Sequence, residues 1–201
     1  LRMVPGLVIM APKDENELVN MLRTGLMYDN GPIAMRYPRG SGEGVQVTDQ
    51  PSELPIGKGE VVREGSDVAI IAVGRMVGRA VEAAEALQKE GIEATVMNAR
   101  FIKPLDTELI GRLADDIGRV VTIEENSIRG GFGAGILEFL SESKRYTVPT
   151  LCLGIPDAFV TYGTIDQLLH DHGLDADGIA ASIGSFLREE QVLSTTVRSA
   201  G

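Results

Sequence analysis

The sequence has a single cysteine and too few positive charges to balance its negative ones. The lone Cys152 excludes an internal disulfide and a cysteine-type zinc site, and both absences fit a reducing cytoplasm. The 19 Lys and Arg against 29 Asp and Glu give a net charge of −10, which repels phosphate backbones and anionic lipids. The composition therefore argues against a general nucleic-acid or membrane partner.

Long hydrophobic runs are also absent. No apolar stretch approaches the ~20 residues that a bilayer span requires, so we expect no transmembrane helix. The first residues, LRMVPGLVIMAP, lack the pattern of a signal peptide and do not begin with Met. With 43% apolar and 24% charged residues the chain is typical of a globular protein. We expect it to be a fragment of a longer one.

Helix and strand signals divide the chain into two unequal parts. Residues 1–45 supply only a strand, a helix and a second strand, too little for an independent core, so we predict that they are the tail of a domain whose body lies upstream. A stretch rich in Gly, Ser, Gln and Pro follows, and we place a linker at residues 46–55. Residues 56–190 then form the main domain, and the polar residues 191–201 form a loose tail.

The first helix is predicted from a start signal and an apolar stripe. Asp14 followed by Glu17 resembles a capping box, in which the two side chains bond to backbone N–H groups of the first turn. The apolar stripe consists of Leu18, Val19, Leu22 and Leu26.

In the main domain, unbroken apolar runs alternate with helical stripes. The run VAIIAV at 68–73 suits a strand that is covered on both faces. We predict four strands side by side and mostly parallel, with helices on both faces, at residues 68–73, 95–98, 120–123 and 148–153. The predicted fold class is therefore α/β with a mainly parallel sheet.

Two arginines flank a proline in the segment RYPRG at 36–40. Pro38 holds Tyr37 extended, so the guanidinium groups of Arg36 and Arg39 point in different directions, and we expect only one of them to enter a site. At the carboxyl end of a strand an arginine can hold a phosphate through two parallel hydrogen bonds. A surface or interface ion pair is the commoner use of such an arginine, and the residues alone favour it.

A glycine-rich loop, Gly130 to Gly135, lies between a strand and a helix, where a phosphate-binding loop would lie. It lacks the full GxGxxG spacing and a Walker lysine, so we favour tight packing of strand against helix over nucleotide binding. Glu124, Glu125 and Asn126 precede the loop. Acid–base chemistry is one interpretation of these three residues, but we favour a solvated strand end or a subunit contact.

Metal and nucleophile signals are poor. His170 and His172 diverge by about 200° on a predicted helix, so they cannot share one metal ion, and we expect them to face solvent. Asp175 and Asp177 are interpreted as helix caps. Cys152 is expected to be a small core residue on a buried strand. The residues therefore show no complete catalytic apparatus.

Six segments together resemble the C-terminal third of the 1-deoxy-D-xylulose-5-phosphate synthases, a family of the transketolase superfamily. They are MAPKDENE at 10–17, GPIAMRYPRG at 31–40, LPIGKGEVVREG at 54–65, RFIKPLD at 100–106, VVTIEENSIRGGFGAGILEFL at 120–140 and LGIPDAFVTYGT at 153–164. The resemblance extends to about Glu189. KPLD and GGFG are shared across the superfamily, whereas DENE, the RYPRG ending and HGLDADGI at 172–179 resemble the synthases more closely.

The resemblance implies what the whole enzyme does. With thiamine diphosphate and Mg²⁺ the family forms a carbanion from pyruvate, releases CO₂ and adds the two-carbon unit to D-glyceraldehyde 3-phosphate; the product supplies isoprenoid, thiamine and pyridoxal synthesis. The resemblance also implies a homodimer of three-domain subunits, in which residues 1–45 end the pyrimidine-binding domain and residues 56–190 form the C-terminal domain. The family's metal ligands and catalytic residues belong to the missing N-terminal part. We therefore expect neither cofactor binding nor activity from this chain alone.

One substrate contact is carried over by the resemblance. The last arginine of the family's YPRG motif helps to hold the phosphate of the aldehyde, and it falls on Arg39. Arg36 is left as a structural ion-pair candidate. Two alternatives remain open: the C-terminal part of a 2-oxoacid dehydrogenase β subunit, which acts on no phosphorylated aldehyde, and a free-standing α/β module that binds a nucleotide at Gly130 to Gly135 or serves in assembly.

Overall fold

Strands and helices alternate along most of the chain. The computed structural model describes the backbone of residues 1–199 and the side chains of residues 1–192. The strands are β1 (Val8–Met10), β2 (Ile33–Met35), β3 (Glu60–Arg63), β4 (Val68–Ala72), β5 (Ala94–Asn98), β6 (Phe101–Lys103), β7 (Val120–Ser127) and β8 (Thr150–Ile155). The helices are α1 (Glu15–Met27), α2 (Met76–Lys89), α3 (Thr107–Ile117), α4 (Phe132–Glu142), α5 (Ile165–Asp171) and α6 (Ala176–Ser199). Within the described part of the chain, no helix is both long and apolar enough to cross a bilayer.

Five strands form the larger sheet, in the order β3-β5-β4-β7-β8. The central strand β4 pairs in parallel with β5 and β7, and β7 pairs in parallel with β8. Only β3 is antiparallel, at the edge beside β5. The prediction of four neighbouring parallel strands is therefore confirmed.

Helices cover both faces of the larger sheet. Val68, Ile70 and Ala72 of β4 pack in one apolar cluster with α2 and α6. The alternate residues, Ala69 and Ile71, pack in a second cluster with α3, α4 and β1. Because successive side chains of a strand point to opposite faces, a strand buried on both faces needs an apolar residue at every position. That requirement explains the unbroken run VAIIAV.

A smaller sheet joins the N-terminal residues to the middle of the chain. In it, β1 pairs in parallel with β2 and antiparallel with β6. The sequence pattern does not predict β6, because three residues between Arg100 and Pro104 are too few to show a period. Residues 1–45 thus share a sheet with a strand from residues 101–103, while the domain boundary itself stays a prediction.

Helix α1 faces the core with a different stripe from the predicted one. Its buried residues are Glu17, Met21 and Thr24, whereas Leu22 and Leu26 are exposed. The N-cap is as predicted, since Asp14 accepts a hydrogen bond from the N–H of Glu17 at 2.7 Å. The capping box is not completed, because the Glu17 carboxylate accepts from the N–H of Lys13 and not from that of the cap residue Asp14. Buried partners of Glu17, described below, set this rotation of the helix.

The predicted linker, residues 46–55, is held along α1 by hydrogen bonds. Three polar side chains, spaced about one helical turn apart, accept from backbone N–H groups of the linker at 2.8 to 2.9 Å. The acceptors are Asn16, Asn20 and Thr24, and their donors are Thr48, Ser52 and Leu54 respectively. The linker is therefore an ordered strap on the helix.

The C-terminal helix corrects the predicted loose tail at residues 191–201. Helix α6 continues through Ser199, so the tail is helical up to that residue, and residues 200–201 lie outside the described residues. No glycine or proline occurs between Gly184 and Gly201, and the segment REEQ at 188–191 is rich in good helix formers. Polarity alone therefore did not end the helix.

His170 and Asp175 form an exposed ion pair at the junction of α5 and α6. The Nδ1 atom of His170 lies 2.6 Å from one oxygen of Asp175, and the other oxygen accepts from the N–H of Gly178 at 3.0 Å. Asp175 is thus a cap of α6, as predicted, and His170 faces solvent. The hydrogen bond that the Asp175 carboxylate accepts from the imidazole raises the pKa of His170, and the same contact lowers the pKa of Asp175.

We predict that Asp175→Asn returns the pKa of His170 towards its ordinary value. Asparagine keeps the helix cap but removes the charge that stabilises the imidazolium. In the parent chain this pair stabilises the fold below the ordinary pKa of histidine, and the contribution is lost as the pH rises through the raised pKa. It is also lost as the pH falls through the lowered pKa of Asp175. An NMR titration of the His170 ring measures the shift, and an unchanged titration curve in the variant would contradict the assignment.

Candidate functional site

The two arginines of RYPRG have different surroundings at the end of β2. The side chain of Arg36 is largely buried, and its Nη2 atom lies 3.8 Å from Glu125. Arg39 is exposed, and no described residue forms a hydrogen bond or ion pair with its guanidinium group. The expectation that Arg36 serves as an ion-pair residue is confirmed.

A cleft of about 230 Å³ lies where the carboxyl ends of β2, β4 and β7 meet, and we call it the Arg36 cleft. Arg36, Glu124 and Asn126 are among its walls. Glu125, next to it, lies between Arg36 and Arg75, at 3.8 and 3.9 Å. The Nε atom of Arg36 is buried without a hydrogen-bond partner. The carboxyl ends of strands are where open α/β sheets bind ligands.

Glu124 is a buried carboxylate, which corrects the favoured expectation of a solvated strand end. It is 2% exposed, and its two oxygens accept from the N–H groups of Phe132 and Gly133 at 2.9 Å each. Burial raises the pKa of Glu124, although both hydrogen bonds and the charge of Arg36 favour the ionised form. Glu124 therefore caps the N-terminus of α4 from inside the protein.

In the glycine-rich loop, two of the N–H donors at the start of α4 are already bonded to a carboxylate. A phosphate there would bind the first N–H groups of the helix, and two of these already bond to Glu124. A side chain at Gly131 would collide with the same carboxylate, and a Cβ at Gly133 would lie 2.5 Å from Oγ1 of Thr122. This geometry supports the packing interpretation of the loop over the nucleotide-binding one.

A second cleft, of about 280 Å³, lies between the start of α1 and residues 37–44, which we call the RYPRG loop. The loop begins where the N–H of Arg36 donates to the carbonyl of Met10 at 2.8 Å. It ends where the carboxylate of Glu15 accepts from the N–H groups of Glu43 and Gly44, at 3.0 and 2.6 Å. The loop that carries the second arginine is thus held at both ends.

A buried carboxylate joins α1 to the larger sheet. Glu17 is 2% exposed, and its Oε1 atom accepts from Nε of Arg100 and Nδ2 of Asn98 at 2.8 Å each. Its Oε2 atom accepts from the N–H of Lys13 at 2.8 Å. Arg100 also donates to Glu60. The sequence pattern indicates no role for Glu17 beyond the cap and none for Arg100, although Glu17 lies in the segment MAPKDENE and Arg100 in RFIKPLD.

The resemblance implies Mg²⁺ for the whole enzyme, and the described side chains of this chain offer it no ligand set. Within residues 1–192, no three His, Cys, Asp or Glu side chains are grouped so that they could hold a metal ion. Cys152 is half-buried on the edge strand β8 rather than in the core, and burial raises the pKa of its thiol. An uncharged thiol on an edge strand is a poor metal ligand.

Comparison with known proteins agrees with this architecture. Residues 57–179 match the family model described as transketolase, C-terminal domain. The chain belongs to that family. It is 54% identical over 180 residues to the 1-deoxy-D-xylulose-5-phosphate synthase of Heliobacterium modesticaldum. It is 52% identical over 187 residues to 1-deoxy-D-xylulose-5-phosphate synthase 1 of Geobacter sulfurreducens. These matches cover 90% and 93% of this chain but only 28% and 29% of the two relatives.

Solved structures show the same fold. A structure described as a split gene transketolase, inactive β4 tetramer, matches with a TM-score of 0.82 at 34% identity, covering 93% of this chain and 60% of that one. A transketolase mutant from Pichia stipitis matches with a TM-score of 0.63 at 16% identity, covering 93% and 26%. The predicted α/β fold of the transketolase C-terminal domain is therefore confirmed.

We predict that Arg100→Ala destabilises this transketolase-family chain by about 3–5 kcal/mol, because the buried carboxylate of Glu17 loses its nearest charged partner. Arg100→Lys should recover part of the loss, since lysine keeps the charge but not the position of the Nε donor. Urea unfolding measures both free energies.

The matched control for this prediction is an exposed arginine pair. Arg79 contacts Glu82 and Asp166 on the surface, so Arg79→Ala should cost less than about 1 kcal/mol. Equal losses in the Arg79 and Arg100 variants would show that burial of Glu17 adds nothing to its pairing.

Proposed function

We propose that this chain is the C-terminal part of a 1-deoxy-D-xylulose-5-phosphate synthase. That enzyme condenses pyruvate with D-glyceraldehyde 3-phosphate, with loss of CO₂, and its product is a precursor of isoprenoids, thiamine and pyridoxal. The observation that carries the proposal is an identity of 54% and 52%, over 90% or more of the chain, to two relatives that bear this name.

In this proposal the chain supplies a surface that packs against the rest of the enzyme, and a contact to the substrate. Thiamine diphosphate and Mg²⁺ bind elsewhere in the enzyme. The cofactor supplies the carbanion chemistry. Leu22, Leu26 and Met27 expose apolar surface on α1, which the rest of the pyrimidine-binding domain would cover. A homodimer and a cytoplasmic location stay parts of the proposal.

Arg39 holds the phosphate of glyceraldehyde 3-phosphate in this proposal. The guanidinium of Arg36 is already paired with Glu125, whereas that of Arg39 is exposed and unpaired among the described side chains. A free guanidinium can place two parallel N–H donors on a phosphate. An oxoacid dehydrogenase has no phosphorylated aldehyde for such a residue to bind, so the unpaired arginine supports the synthase.

We predict that Arg39→Ala, in the complete enzyme, lowers kcat/KM for glyceraldehyde 3-phosphate by roughly 10- to 150-fold. This range corresponds to a charge-assisted contact worth about 1.5–3 kcal/mol. The apparent constant for pyruvate should not change, because pyruvate carries no phosphate tail. Arg39→Lys should recover only part of the loss, since lysine lacks the planar fork. Steady-state kinetics with each substrate varied in turn measures these effects.

Arg112→Ala is the matched control for charge, because Arg112 is exposed on α3, and it should leave both constants unchanged. Equal defects of Arg39→Ala towards both substrates would remove Arg39 from the phosphate site. An unchanged constant for the aldehyde would do the same.

We also predict that the 201-residue chain alone shows no saturable binding of thiamine diphosphate with Mg²⁺, or of ATP with Mg²⁺, in titration calorimetry. The physical reason is that Glu124 bonds to the N–H groups that a phosphate would use at α4. The complete enzyme, titrated with thiamine diphosphate, is the positive control. Saturable binding of ATP by the chain would favour a free-standing nucleotide-binding module.

A further inference from the structure

We infer that Glu15 is a positioning residue for the acceptor phosphate: its carboxylate fixes the RYPRG loop so that Arg39 meets the phosphate of the aldehyde. This inference rests on the role proposed for Arg39. Glu15 is the first residue of α1, and Arg39 lies in the loop that folds back over that end of the helix.

The contact between Glu15 and the loop uses both carboxylate oxygens. Oε2 accepts from the N–H of Glu43 at 3.0 Å, and Oε1 accepts from the N–H of Gly44 at 2.6 Å. A carboxylate that accepts two backbone N–H groups is a charge-assisted clamp, stronger than a neutral hydrogen bond. The backbone N–H of Glu15 itself, and then those of Gly44 and Glu43, lower the pKa of the Glu15 carboxyl, which favours the charged form of the clamp.

The glycines of the loop are matched to the clamp. A Cβ at Gly42 would lie 2.6 Å from Cδ of Glu15 and closer still to Oε1, so no side chain fits there while the carboxylate is in place. Gly44 has a φ of 83°, in the left-handed region that glycine adopts without strain. The segment GSGEG at 40–44 is therefore shaped to present its N–H groups to Glu15.

Holding the loop at both ends limits where Arg39 can be. Its upstream end is fixed by the hydrogen bond of Arg36 to Met10, and its downstream end is fixed by Glu15. An arginine on a loop with one free end would lose more conformational freedom on binding a phosphate. A clamp made before substrate arrives removes that cost from the binding step.

Glu15 acts through the loop and not on the substrate itself. Both its oxygens are occupied by backbone donors, and a carboxylate next to a phosphate would repel it. A purely structural role is the competing explanation, because a carboxylate in the first turn also stabilises a helix. A readout that separates the phosphate from the rest of the aldehyde distinguishes the two roles.

The experiment compares two acceptors in the complete enzyme, D-glyceraldehyde 3-phosphate and unphosphorylated D-glyceraldehyde. Glu15→Ala should lower kcat/KM for the phosphorylated acceptor by roughly 10- to 100-fold, as expected for a misplaced binding group. It should leave kcat/KM for D-glyceraldehyde and the apparent constant for pyruvate unchanged. In an Arg39→Ala background, Glu15→Ala should add no further loss, because the two residues act as one unit.

Gly42→Ala tests the same clamp without removing a charge. Its new Cβ displaces the Glu15 carboxylate, so this variant should show the same selective loss. Hydrogen exchange at the amides of Glu43 and Gly44 should become faster in both variants. Glu85→Gln on the exposed face of α2 and Gly78→Ala, where nothing lies within 4 Å of the new Cβ, are the matched controls and should behave as the parent enzyme.

The outcomes separate this inference from the proposed function. If Arg39→Ala leaves the phosphorylated acceptor unaffected, the proposed role of Arg39 fails. If Arg39→Ala has its expected effect but Glu15→Ala lowers kcat/KM by the same factor in the Arg39→Ala background as in the parent, Glu15 does not act through Arg39. Equal losses on both acceptors would assign Glu15 a purely structural role. If Glu15→Ala does not fold, Gly42→Ala decides, and parent-like kinetics with faster amide exchange would overturn the inference.

Discussion

The buried pairing of Glu17 with Arg100 sets the rotation of α1 about its axis, and the arrangement around the RYPRG loop depends on that rotation. With Glu17 turned inward to Arg100 and Asn98, side chains four and seven residues later are buried with it. The same rotation turns Asn16 and Asn20 to the linker. It also leaves Leu22 and Leu26 on the outside. A helix packed by its leucine stripe would present none of these acceptors in the same place.

Carboxylates that accept backbone N–H groups recur through this acidic chain. Glu15 holds a loop, Glu17 joins two layers and Glu124 caps a helix from inside. Backbone N–H groups, joined at Glu17 by the side chains of Arg100 and Asn98, satisfy these carboxylates, so part of the net charge of −10 serves packing. At α4 the carboxylate of Glu124 lies where a phosphate would bind at a free helix N-terminus.

The larger sheet could be predicted from its apolar runs. Strand β4 is buried on both faces, so its sequence is apolar at every position. Local signals in the sequence likewise mark the bounds of α3, because Asp106 caps its start and Gly118 ends it. The rotation of α1 could not be predicted in this way. Its buried stripe includes Glu17, whose partner Arg100 is 83 residues away in the sequence. A prediction from apolar residues alone places every charged residue on the exposed face. For Arg39 the residues alone favour an ion pair. Only the family resemblance points to a phosphate ligand.

The two arginines of RYPRG divide the requirements of a binding loop between them. Arg36 pairs with Glu125, which also lies near Arg75 at the start of α2, so the end of β2 is tied to the larger sheet. Because Glu125 partly neutralises the guanidinium of Arg36, a phosphate gains less from that group than from an unpaired guanidinium. Pro38 lies between Arg36 and Arg39 and keeps the guanidinium of Arg39 away from that of Arg36. One arginine can therefore fix the loop while the other stays available, an arrangement that neither could provide alone.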